Sequence, residues 1–503
     1  MTTVEHGTTD AIGSKIRSGL VWKAGSQVLL QVSRMVVALV LARMLAPHDW
    51  GLAAMVLVFS AFVVVFTDSA LGTALIQRRT LTEADKSTVF WLSAAIGVLL
   101  AIGGVALAGP IAHFYGEPEV KPLFSVLSLG FFVTAIGSTQ LALLVRDMQF
   151  RRLELRQMAA TIVGAVAGIS VALANFGAWA VVAQQLGEAI ASTLLLWIVT
   201  PWRPSATFSM TSVRRLSGFA GNVFGQNVLY QAGRNLGSIL IGRVLGPASL
   251  GVFVLATNVI LVPFSRIAGP LQQVFFPAFS RIADDRERMA DIWIRAARLV
   301  GLISIPSLVG LAVVAPDFVD VVLGQRWHSA IPVIRILAIV GIIMSVQTLN
   351  GEVLLALNRS GTLLRFTVLW FVGTIGGIAL GMHWGILGAA TGYAVAIVLV
   401  EPVGAYLTTR ALGISLWRFV GAFAGIVQAT ALMAVAVLAA RSLLIAASVP
   451  AAARLVLLVA LGGVVYVLGS LWRSPDVVGE IKGVVRRRKP APAPRAETLE
   501  ARL

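Results

Sequence analysis

Gln27, Gln31 and Arg34 stand at positions i, i+4 and i+7 of one apolar run, and Asn227, Gln231 and Arg234 repeat the pattern in another. At 3.6 residues per turn each trio shares one helix face. A guanidinium matches phosphate oxygens two at a time and amides match sugar hydroxyls, so the two stripes could hold a phosphorylated glycan in a wet cavity. The structural alternative is that neighbouring carbonyls satisfy each arginine, or that each marks where two parts of the chain meet. Arg266 adds a third cation, in a run holding Pro263, Pro270 and Pro277 at intervals of seven. Such a helix is expected to be kinked or broken. The carboxylates in apolar runs are Asp68, Glu188, Glu352 and Glu401. Each is a candidate either for coupling to a proton or sodium ion or for neutralising one of the arginines. An Asp68–Arg266 pair is one option, and Glu401 precedes Pro402, where a freed carbonyl could join it on a cation.

Other chemistries find little support. Cysteine is absent, which excludes disulfides, thiolate metal sites and cysteine nucleophiles. The five histidines are scattered. No phosphate-cradling Gly-rich Lys/Ser loop, paired-His zinc motif or serine elbow occurs. No enzyme, no metal and no cofactor are expected. A membrane-bound glycan ligase or polymerase would need a longer loop outside the membrane than this chain offers.

The elements that must position these side chains are transmembrane helices. Of 503 residues, 57% are apolar and only 13% charged, about half the charged fraction of an ordinary globular protein. Fourteen apolar runs can be placed, each near the ~20 residues a bilayer crossing needs. The expected class is an all-α polytopic membrane protein with about fourteen transmembrane helices. Nothing resembles a cleavable signal peptide. With the N-terminus inside, loops on that side carry 30 Lys and Arg against seven on the other. That bias places both termini in the cytoplasm and accounts for the net charge of +17 without nucleic acid. The basic tail, with Arg486–Arg487–Arg488–Lys489 before three prolines, reads as an anchor on anionic lipids.

The chain also repeats itself. Ala42-Arg43-Met44-Leu45-Ala46-Pro47, with Gly51 beyond, matches Gly242-Arg243-Val244-Leu245-Gly246-Pro247, with Gly251 beyond, at an offset of 200. The match extends back through Arg34/Arg234, Gln31/Gln231 and Gly25/Gly225. Six intervening spans give both copies the same orientation, a parallel repeat about an axis along the membrane normal. The expected organisation is a cytoplasmic segment 1–19, an N-lobe 20–199, a linker 200–217, a C-lobe 218–410, a helix pair 411–472 and a basic tail 473–503. Two such pseudo-symmetric six-helix lobes could rock about a central site.

Val21-Trp22-Lys23-Ala24-Gly25-Ser26-Gln27, Ala42 to Gly51, and Asp68-Ser69-Ala70-Leu71-Gly72-Thr73-Ala74-Leu75-Ile76-Gln77 together resemble the polysaccharide transport family of bacterial oligosaccharide flippases. Leu144-Val145-Arg146-Asp147-Met148-Gln149-Phe150-Arg151-Arg152 and Phe176-Gly177-Ala178-Trp179-Ala180 are similar to the same family. The resemblance spans roughly 15–410 and belongs to a superfamily that includes multidrug extruders and lipid II flippases. It implies a bacterial plasma-membrane exporter that carries a polyprenyl-diphosphate-linked glycan from the cytoplasmic to the outer leaflet, working beside polysaccharide polymerase machinery. It further implies that Arg34 and Arg234 hold the diphosphate. The competing expectation is a cation-coupled exporter of small molecules on the same scaffold.

Overall fold

The computed structural model describes the backbone of residues 29–68, 75 and 81–473. Side chains are described for the same residues except 61–68, 211–230, 232–234, 262–270 and 273. Among the described residues all regular structure is helical. In chain order the helices are α1 (29–44), α2 (Pro47–Asp68), α3 (Glu83–Tyr115), α4 (Val120–Ala135), α5 (Ser138–Arg146), α6 (Phe150–Leu173) and α7 (Trp179–Val199). The run Met210–Arg281 follows; its one non-helical residue, Gly246 (φ 79°, ψ 177°), divides it into α8 and α9. The second half of the chain holds α10 (Arg286–Val313), α11 (Ala315–Phe318), α12 (Ala330–Val346), α13 (Asn350–Ala356), α14 (Ser360–Gly381), α15 (Gly385–Leu412), α16 (Leu416–Gly421), α17 (Ala424–Ala446) and α18 (Ala451–Arg473).

Each of the fourteen predicted runs overlaps helical backbone. Among the described residues nine helices are long and apolar enough to cross a bilayer, or ten when α4 and α5, bent by 41°, are taken as one broken span. That count treats Ser360–Leu412 as a single helix. Gly385 (φ 70°) turns the chain there, and α14 and α15 return against each other. The break in the Met210–Arg281 run falls at Gly246 and not at the proline series, so Pro263, Pro270 and Pro277 lie in helical backbone. Each proline removes one backbone hydrogen bond, and a membrane helix absorbs that loss when neighbours satisfy the freed carbonyl.

The chain forms two compact units. One comprises the chain up to Gly269 with Ala315–Val340 and Leu364–Glu401; the other comprises Pro270–Val314, Gly341–Leu363 and Pro402 onward. In the first unit small residues set the helix spacing. A Cβ on Gly164 would lie 2.7 Å from the Gln184 carbonyl oxygen, and one on Gly168 would lie 3.0 Å from that of Ala180, so α6 and α7 meet backbone to backbone. Glycines 377, 381, 388 and 392 do the same for α14 and α15. A methyl on Gly392 would meet the Gly377 carbonyl oxygen at 2.0 Å. Gly392→Ala is therefore expected to destabilise the purified protein by about 1–3 kcal/mol or more, read as a lower thermal midpoint in detergent.

The sequence repeat has a direct counterpart in this unit. The chain leaves the helix at Leu45–Ala46 in the first copy and at Gly246 in the second, the same offset of 200. Beyond each break, the glycine of one copy packs on the proline of the other. A Cβ on Gly51 would lie 1.7 Å from the Pro247 oxygen, and one on Gly251 would lie 2.0 Å from the Pro47 oxygen. Trp327 covers the first copy: it is fully buried, donates its indole N–H to the Ala42 carbonyl at 2.6 Å, and meets Trp50 edge-on. Arg43 donates to the Val321 carbonyl beside it.

The second unit is built on α10. Trp293 stacks on Phe419 at 4.3 Å, Phe423 fills the space left by Gly301, and Arg418 pairs with Asp291 at 2.8 Å. The final helix pair, α17 and α18, docks on the same helix, where Tyr466 donates to the Leu302 carbonyl and Val314, Met433, Val437 and Leu458 form a small core.

Candidate functional site

Arg34 lies on α1 within the first unit, with its side chain 39% exposed. One guanidinium nitrogen, Nη2, donates to Glu188 Oε1 on α7 at 2.8 Å. Glu188 is 17% exposed. Its Oε1 also accepts from Gln157 Nε2 at 2.7 Å and from the Thr161 hydroxyl at 3.1 Å, both on α6. Arg156 extends the network: it is buried and donates to the Ser192 hydroxyl at 2.6 Å and to Gln157 Oε1 at 3.0 Å. The close α6–α7 approach at Gly164 and Gly187 brings these donors within reach of Glu188. One carboxylate oxygen thus collects three donors, which offsets much of the cost of holding a charge among apolar helices.

The pair borders open space. Gln31, Arg34, Met35, Ala38 and Leu39 of α1 line a cavity of about 180 Å³ with Leu255, Asn258 and Val259 of α9. Asn258 also lines a second cavity of about 350 Å³, bounded by Trp50, Ala53, Ala54, Leu57 and Val58 of α2, Val181 of α7, Asn235 and Ser238 of α8, and Val254 and Thr257 of α9. The two cavities meet at Asn258, so a guanidinium and amides line the space between the two copies of the repeat. The arrangement is equipped to bind an anion with a polar, uncharged extension.

Of the residues predicted for this site, Gln31 and Arg34 line the cavity and Glu188 is the counter-ion of Arg34. The backbone carbonyl of Gln231 accepts from Asn235 Nδ2 at 2.9 Å. Gln27 and the side chains of Asp68, Asn227, Arg234 and Arg266 lie outside the described residues, and with them the Asp68–Arg266 pair. Glu401 is buried on α15 and accepts from the Trp370 indole. Glu352 is half-buried on α13 in the second unit. Sequence reasoning missed Arg156, which precedes the apolar run expected at 157–174, and Gln157 and Thr161, which begin it. It also missed Asn235, Ser238, Thr257 and Asn258. Their signal was present, as polar residues replacing apolar ones at the repeat offset.

A model of the polysaccharide biosynthesis protein family matches residues 40–332, more than half of the chain. The chain belongs to that family. Family relatives include the lipopolysaccharide biosynthesis protein WzxC of Escherichia coli, 28% identical over 79% of this chain and 81% of its own length. The succinoglycan biosynthesis transport protein ExoT of Rhizobium meliloti is 27% identical over 90% of this chain and 92% of its own. Among solved structures, lipid II flippase MurJ in an inward closed conformation superposes with a TM-score of 0.68, 14% identity, and coverage of 91% of this chain and all of that one. An inward-facing multidrug-resistance transporter of the MATE family and MOP superfamily gives 0.59, 13% identity, and coverage of 76% and 94%. The family's fold is therefore the all-helical one shared by these two kinds of transporter.

Proposed function

We propose that this chain is a flippase that moves a polyprenyl-diphosphate-linked oligosaccharide from the cytoplasmic to the outer leaflet of a bacterial plasma membrane, for cell-surface polysaccharide synthesis. The observation that carries this reading is Arg34: a partly exposed guanidinium on a cavity wall, restrained by a single shared carboxylate. A drug cavity would be apolar with an essential acid, whereas here the acid is already engaged and the cation faces the space. The named roles of relatives in lipopolysaccharide and succinoglycan synthesis agree with a glycan cargo.

In this reading the chain is not an enzyme. The lobes 20–199 and 218–410 rock about the cavity with both termini cytoplasmic, and the basic tail rests on anionic lipid. Arg34, with Arg234 at the repeat-related position, takes the diphosphate; Gln27, Gln31, Asn227, Gln231 and Arg266 complete the polar lining. When a phosphate draws Arg34 away, Glu188 loses its counter-charge and becomes the site for a coupling proton. Binding of anion and of proton then reinforce each other by linkage. Glu401, Glu352 and Asp68 are the other acids available to a coupling ion.

Deleting the gene and measuring lipid-linked oligosaccharide on each face of the plasma membrane tests the reading. Accumulation on the cytoplasmic face, cleared by the wild-type gene, is the expected result. An unchanged distribution in a strain lacking any other exporter would overturn it in favour of a cation-coupled small-molecule exporter.

A further inference from the structure

The second cavity is divided by the repeat. Leu57 and Val58 of the first copy and Thr257 and Asn258 of the second occupy equivalent positions, and all four line the same space. Asn235 and Ser238 join the polar wall, and their equivalents in the first copy are Met35 and Ala38. One wall is thus apolar and the other offers amides and hydroxyls, although both descend from one repeated segment.

One hydroxyl of the polar wall has no partner. Many hydroxyls in these helices bond back to the preceding turn, as Thr134, Thr408 and Thr430 do to Gly130, Gly404 and Ile426. Thr257 does not: its hydroxyl is buried with no hydrogen-bond partner. Polar groups inside a membrane are costly and are retained where they meet a ligand or water. A pyranose has the complementary form, with C–H groups on its ring face and hydroxyls around its edge. A space of about 350 Å³ is within the size range of small-molecule sites.

We propose that this cavity is the glycan subsite of the transporter. It takes the sugar joined to the diphosphate, with the hydroxyl edge toward Asn235, Ser238, Thr257 and Asn258 and the C–H face toward Leu57 and Val58. The proposal rests on the flippase reading, because the sugar reaches this space when Arg34 holds the diphosphate next to Asn258. It also makes these four residues the determinants of which first sugar is accepted.

Binding to the purified full chain separates the two claims. The probes are undecaprenyl diphosphate alone and the same lipid carrying one glucose, galactose or N-acetylglucosamine. Two or three new hydrogen bonds predict that at least one sugar tightens wild-type binding by about tenfold. Ser238→Ala/Thr257→Leu, which copies the first repeat at two residues that line only the second cavity, should remove that gain and leave affinity for the bare lipid unchanged. Ser238→Ala should reduce the gain in part, and Arg34→Ala should weaken every probe. The chain has no cysteine, so Val254→Cys on the wall of the second cavity gives a single label site: the glycosylated lipid should protect it from a maleimide better than the bare lipid does. Absence of any sugar gain while the bare lipid binds overturns the subsite alone. Persistence of the gain in the double variant, or equal protection by both lipids, does the same. Failure of every lipid to bind overturns the flippase reading and the subsite with it.

Discussion

Gly51→Val is expected to stop export while leaving the chain folded and membrane-inserted. The first atom of any side chain at this position would sit 1.7 Å from the Pro247 carbonyl oxygen, 2.4 Å from its carbon and 2.9 Å from its Cα. All three are backbone atoms, so no rotamer change relieves the clash. Carbon atoms are comfortable at about 3.5–4.0 Å, and α2 must therefore withdraw from the Pro247 turn. The repeat doubles the constraint, because Gly251 is pressed on Pro47 in the reciprocal way. In the orientation proposed above this end of the cavity faces outward, and the expectation is that the paired contacts close it. A penalty of about 1–3 kcal/mol or more on that closed form shifts the balance between open and closed by roughly 5- to 150-fold. The measurement is labelling of Ala54→Cys, at a position buried on the cavity wall, by a membrane-impermeant maleimide, with and without Gly51→Val. Faster labelling together with lost export is the expected result. Gly103→Ala is the control, since its Cβ would meet nothing within 4 Å. Unchanged labelling in the Gly51 variant would mean that the contact is not a gate.

The paired contact was half legible in the sequence. The offset of 200 singled out Gly51, Gly251 and their prolines, because a repeated segment under the same geometric demand keeps the residues that meet it. That each glycine serves the other copy's proline could not be read, since it depends on the axis relating the copies. The broken spans show a different limit. A hydropathy window reads 123–145 and 330–357 as uninterrupted, because Gly137 and the polar stretch Gln347–Asn350 are too short to lower its average. The backbone breaks there nonetheless, and each break is followed by a buried amide, Gln140 or Asn350. The proline series predicted a kink or a break; the backbone stays helical through it, and the break falls at the Gly246-Pro247 junction that the repeat had singled out. Polarity inside a span was legible as an anomaly but not as a partnership. Glu188 could be listed beside three arginines, yet its choice of Arg34, 154 residues away, is decided by glycines at 164 and 187 that let α6 and α7 close.

Arg34 and Glu188 should have opposite effects on binding and the same effect on transport. Arg34→Ala removes a charge-assisted contact to the diphosphate, worth about 1.5–3 kcal/mol, so affinity for undecaprenyl diphosphate should fall by roughly 10- to 150-fold and export with it. Arg34→Lys keeps the charge but loses the planar fork, and should restore affinity only in part. Glu188→Gln leaves an acceptor for Gln157 and Thr161 but no anion for Arg34. Because Arg34 is 39% exposed, the loss of the ion pair should cost the fold no more than about 1 kcal/mol. The substrate then no longer competes with a carboxylate for the guanidinium, so the bare lipid should bind more tightly than to wild type. Transport should still fall, because tighter binding that is equal on both faces slows release without favouring the passage between them. Binding and export measured side by side on the two single variants and the double variant decide the matter. If Glu188→Gln weakens binding as Arg34→Ala does, the carboxylate supports the arginine's position and does not compete for it, and the exchange at the centre of the proposed coupling is wrong. If it tightens binding while export falls, and the effect disappears once Arg34 is gone, Arg34 passes between the carboxylate and the phosphate in each cycle.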